Sequence, residues 1–106
     1  MRHIGKAMLA TAVLSAFAPL ARAQNADAGR KVAQAICAEC HLIDQSGMRD
    51  GLKAPGFLDI ATMRSTTELS LKVFLQSPHA SMPSIHLTQP ELDDVVTYIL
   101  SLNNRT

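Results

Sequence analysis

Two thiols and an imidazole lie within five residues, Cys37-Ala38-Glu39-Cys40-His41. Positions 37, 40 and 41 are i, i+3 and i+4, so on a helical turn all three side chains point to one side. Thiols at that spacing can each add to one vinyl group of a haem and hold it by two thioether bonds. The histidine that follows the second cysteine then reaches the iron as an axial ligand. The motif is short, and other readings compete with it. A dithiol–disulfide redox pair needs βαβ surroundings, which the sequence lacks. A zinc site could enlist His79 and His86, but their spacing of seven lies outside the usual finger pattern. A local disulfide would close a tiny loop and constrain almost nothing.

The context favours the haem. Arg2 and Lys6 precede a short apolar run, Ala7 to Ala18, broken by Pro19 and followed by Ala21-Arg22-Ala23. This is the layout of a secretory signal, with cleavage expected after Ala23 and a mature domain over residues 24–106. The apolar run, interrupted by Thr11 and Ser15, is too short to span a bilayer comfortably. Beyond residue 23 there are seven basic and nine acidic side chains, a net charge of −2. A basic nucleic-acid binder is therefore not expected. The same stretch holds only Phe57, Phe74 and Tyr98 as aromatics. So small an exported domain needs a staple, and two cysteines three apart do not supply one. A large bound cofactor would.

A haem held by His41 has a second axial position to fill. The candidates are Met48, Met63, Met82, His79 and His86. Met48 follows His41 too closely to reach the opposite face, and Met63, next to a short helix, is expected to pack. Met82 lies in Ser77-Pro78-His79-Ala80-Ser81-Met82-Pro83, a proline-bracketed loop that can hold a ligand against the iron. His79 and His86 are expected to face solvent, either serving as a fallback ligand.

The elements that must position these groups read as helices. Asp27 is expected to cap a helix running through Val32, Ala35 and Ile36 to the cysteines. A loop from about Leu42 to Gly56, rich in Gly and Pro, leads to a short helix over Phe57 to Thr62. Ser65 and Glu68 fit a capping box for a helix carrying Leu69, Leu71, Val73, Phe74 and Leu75. Thr88-Gln89-Pro90-Glu91 opens the last helix, with Leu87 and Leu92 placed as a hydrophobic staple. Leu92, Val95, Val96, Ile99 and Leu102 make its buried stripe, and Asp93, Asp94 and Thr97 are expected to face water. No segment of length alternates as a strand would, so the fold class is all-α, with no linker dividing it.

With these residues in place the chain resembles the class I monohaem c-type cytochromes of bacteria. The resemblance covers nearly all of residues 24–106. It rests on Gly29, the Cys37–His41 motif, Ala54-Pro55, His79 to Pro83, and Glu91 to Leu102. It implies three to five helices wrapped around one covalently bound haem c, with no enzymatic activity. It also implies that the first and last helices cross at Gly29 against Tyr98. By the same resemblance, Pro55 offers its carbonyl to the ring N–H of His41. Ala33 stands where many members carry a large aromatic, which predicts looser packing at the crossing.

The functional expectation is a periplasmic one-electron carrier with His41 and Met82 as axial ligands. It would make brief contacts with redox proteins, such as a periplasmic dehydrogenase or a membrane oxidase or reductase. A monomer with no transmembrane segment is expected. The chain lacks a lysine-rich face, and its net charge argues against strong steering towards acidic partners. Two alternatives stand beside it: a five-coordinate peroxidase or gas-binding haem protein, and the cytochrome subunit of a periplasmic dehydrogenase.

Overall fold

A computed structural model describes residues 5, 7–15, 24–77 and 82–104. The expected cleavage site, Ala21 to Ala23, and the candidate ligand His79 lie outside them. Four α-helices follow in order: α1 (Ala26–Val32), α2 (Phe57–Thr62), α3 (Glu68–Gln76) and α4 (Gln89–Leu102). A single π-helical turn, Ala33–Cys37, continues α1. No strand occurs among the described residues, so the all-α class holds. Met8, Leu9, Val13 and Leu14 are almost wholly exposed and add nothing to the core. No helix among the described residues is long and apolar enough to cross a membrane.

The core is one cluster built on α4. Leu92, Val95, Val96, Ile99 and Leu102 are all buried, as their spacing predicts, and Tyr98 joins them. Each such side chain contributes roughly 1.5–3 kcal/mol relative to leaving it in water. The capping box at Thr88 forms as expected, with Glu91 N donating to Thr88 Oγ1 and Thr88 N to Glu91 Oε2. Leu87 packs against the same cluster beside Leu92.

Helix α1 crosses α4 at Gly29. A Cβ at that position would strike the backbone carbonyl of Asp94 and the Cβ of Tyr98, so the helices meet almost backbone to backbone. Ala33, one turn on, is completely buried. The small residue at the start of the π turn leaves no opening to solvent, so the crossing is closed even without the large aromatic.

Three local expectations are corrected. The cap of α1 is Asn25, not Asp27: Asn25 Oδ1 accepts from the backbone N–H of Asp27 at 2.9 Å and of Ala28 at 3.1 Å. Asp27 then lies in the first turn, where its charge suits the helix dipole. The box at α3 is shifted by two residues and joins Thr67 to Ser70. Glu68 is thereby released to pair with Lys72, which also reaches Asp93 on α4. Asp94 does not face water. It is buried, and its carboxylate accepts from Asn25 N at 3.0 Å, an acceptor role that offsets the cost of burying it.

Two apolar assignments also change. The π turn ends the α-helical register early: Ala38 N bonds back five residues to Ala33 O, and Ala35 and Ile36 turn outward. On α3 only Leu71 is buried, and Leu69, Val73 and Phe74 are all more than half exposed.

Gly29→Ala should destabilise the fold by about 2–3 kcal/mol, because the clash is with backbone that cannot move aside. Denaturant unfolding of the holoprotein is the check.

Candidate functional site

The motif sits where the π turn gives way to a tight reverse. Cys40 N and His41 N both donate to Cys37 O, at 3.1 and 2.9 Å, so the three side chains occupy one turn as the spacing required. Cys37 is buried and Cys40 exposed, and no disulfide joins them. Burial pushes the Cys37 thiol up to about 11, so it is protonated at neutral pH.

His41 is held by its own ring. Its Nδ1 lies 2.7 Å from the carbonyl oxygen of Pro55. A carbonyl only accepts, so Nδ1 carries the proton and Nε2 keeps its lone pair for a metal. The neighbouring backbone is fixed as well. Leu42 O accepts from Phe57 N at 2.8 Å, and Ile43 O accepts from the buried Tyr98 hydroxyl at 2.8 Å. The Phe57 ring packs tilted between the two: its centroid is 5.3 Å from that of His41 and 6.5 Å from that of Tyr98. Thus α2 and α4 both grip the segment that begins at His41.

The loop carrying Pro55 folds back on itself. Gly47, at φ +100, takes a conformation that favours glycine, and its carbonyl accepts from Gly56 N at 2.7 Å. A Cβ on Gly56 would strike the carbonyl oxygen of Gln45. Gly47 N in turn donates to Asp59 Oδ2 at 2.8 Å. Asp59 and the Tyr98 hydroxyl were not among the expected site residues. The signal for Asp59 was an acid in the first turn of a short helix; nothing in the sequence pointed the Tyr98 hydroxyl at Ile43.

Met82 is half-buried and lines a cavity of about 230 Å³ with Leu75, Ile85 and His86 among its walls. Cys37, Cys40 and His41 do not line that cavity. Met48 and Met63 are exposed by more than half, so the expectation that Met63 packs is not met. His86 is exposed, as expected.

The donor set fits a haem: two thiols three residues apart, and an imidazole whose Nε2 is kept free by the bond at Nδ1. Among the described residues no three His, Cys, Asp or Glu side chains converge as a zinc site needs; His79, which that reading enlists, lies outside them. The βαβ setting of a dithiol redox site is likewise missing from them.

Comparison with known proteins agrees with this chemistry. A family model described as cytochrome c matches residues 26–103, from the first residue of α1 to just past the end of α4. Cytochrome c-552 of Bradyrhizobium diazoefficiens is 32% identical over 100 residues, covering 94% of this chain and 95% of that protein. No solved structure matches significantly.

Gly56→Ala should cost about 2–3 kcal/mol in unfolding stability, because the added methyl meets backbone. It should also speed hydrogen exchange at the His41 ring N–H, as followed by NMR.

Proposed function

The chain belongs to the cytochrome c family and is an electron-transfer protein carrying covalently bound haem c; from this premise we propose that Cys37 and Cys40 form its thioether bonds and that His41 and Met82 are its axial ligands. The observation that carries the reading is the bond from His41 Nδ1 to the Pro55 carbonyl, which leaves Nε2 as the only ring nitrogen able to bind a metal. The haem iron supplies a one-electron ferric–ferrous couple when bound.

The remaining work falls to the chain's own side chains. Pro55 orients the His41 ring and raises its donor strength. The Met82 thioether, a soft ligand, favours the ferrous state and so a higher potential. If His41 and Met82 both hold the iron, they would take the positions that oxygen or peroxide would need, and the site would be restricted to electron transfer. Tyr98 and Phe57 keep the His41 segment in place as the charge changes. Export to the periplasm, with residues 1–23 removed as a signal peptide, completes the proposal. It is supported by the basic start, the short apolar run and the Ala-x-Ala ending. There, redox proteins would meet the chain in small, brief contacts, consistent with its modest net charge.

A second reading has one observation in its favour. Met82 lines a cavity to which neither cysteine nor His41 contributes. If Met82 stands off the iron in solution, the protein is a five-coordinate ligand binder.

Optical spectra of the oxidised and reduced protein, after denaturing extraction, separate the readings. Retained haem with sharp reduced bands and the weak far-red band of ferric iron bound to thioether is expected. Retained haem without that far-red band would favour the five-coordinate reading. Met82→Ala should keep the haem attached, remove the far-red band, lower the potential and admit carbon monoxide. An unchanged spectrum in that variant would reject Met82 as ligand. Replacing Cys37 or Cys40 should leave little folded, haem-bearing protein.

A further inference from the structure

We infer that Asp59 is a positioning residue for His41, acting through Gly47 on the peptide unit that carries the Pro55 carbonyl. The inference rests on the reading of His41 as an iron ligand. The Pro55 carbonyl and the Gly56 N–H belong to one planar peptide, so turning either turns both. That plane is held at its two edges. On one edge Pro55 O accepts from His41 Nδ1 at 2.7 Å, and on the other Gly56 N donates to Gly47 O at 2.7 Å.

Gly47 is therefore the anchor of the plane, and it needs an anchor of its own. It lies within a loop in a positive-φ conformation, ten residues before α2 begins. Besides its bond to Gly56, the cap of α2, a second tie to that helix comes from the Asp59 carboxylate, which accepts from Gly47 N at 2.8 Å. Asp59 lies in the first turn of α2, two residues after Phe57, whose ring is buried and packs against that of His41. The helix that contacts the imidazole ring thus also sets the carbonyl that orients it. Removing the carboxylate frees Gly47, lets the Pro55–Gly56 peptide rock, and weakens the bond at Nδ1. A weaker bond there lowers the donor strength of Nε2, which disfavours the ferric state and raises the potential.

Losing a negative charge near the iron also raises the potential, so the test separates charge from hydrogen bonding. Asp59→Asn removes the charge and keeps an oxygen able to accept from Gly47 N. Asp59→Ala removes both. In the holoprotein, Asp59→Asn should shift the potential slightly upward and leave exchange of the His41 ring N–H unchanged. Asp59→Ala should shift it further and speed that exchange about tenfold, the effect of losing a charge-assisted bond. Asp59→Ser, whose hydroxyl is too short to reach Gly47 N, gives the same contrast if Asp59→Ala does not accumulate.

Equal potentials and equal exchange in the Asn variant and the variant lacking an acceptor would overturn the assignment, whatever their thermal stability. Asp59 would then be a structural contact alone. A wild-type spectrum with no histidine ligand would overturn the ligation reading and this assignment with it. That failure is visible before any substitution is made at position 59.

Discussion

The structure around the motif depends on one bond, from the ring of His41 to the carbonyl of Pro55. Its force comes from what a carbonyl cannot do. Because the oxygen has no proton to give, the acceptor fixes the tautomer of the imidazole and so decides which nitrogen is left to bind a metal. The residue that supplies it is proline, which has no N–H of its own. An isolated histidine would populate both tautomers and several ring orientations. Here the choice is made by fourteen residues of loop, and the glycines at 47 and 56 let that loop close.

Around that bond the helices act as a frame with two grips. Helix α4 is the buried spine of the molecule, and through Tyr98 it reaches both ways: its Cβ lies against Gly29 at the crossing with α1, and its hydroxyl holds Ile43. Helix α2 takes hold next to it, through Phe57 against the imidazole. The packing that stabilises the fold and the packing that orients the site therefore share residues. For a one-electron carrier this matters, because a site that keeps its shape in both oxidation states has little to reorganise when the charge changes.

Much of this was legible in the residues themselves. The i, i+3, i+4 turn of Cys37, Cys40 and His41 follows from spacing, and the buried stripe of α4 from its period. Its capping box was equally plain. What was not legible is instructive. Asn25 and Asp27 are both good caps two residues apart, and only tertiary contact decides between them: Asn25 N also bonds to Asp94. Asp94 looked like a solvent-facing acid because periodicity ranks residues by polarity and cannot see a partner arriving from another helix. The outward turn of Ala35 and Ile36 depends on a π turn, for which the local sequence carries no distinctive signal. Asp59 was missed because its partner is a backbone N–H, and any residue but proline could have supplied that.

The bond between Asn25 and Asp94 has a consequence for where this fold can be trimmed. Gln24 makes surface hydrogen bonds with Glu68 at 3.4 Å and Thr97 at 3.2 Å. Were residues 1–23 removed as proposed and Gln24 lost in turn, the Asn25 nitrogen would become an ammonium group facing a buried carboxylate, which strengthens the contact. One residue further, the helix cap and the donor to Asp94 would be lost together. Asn25 therefore marks how far this end can be shortened before α1 loses both its cap and its tie to α4.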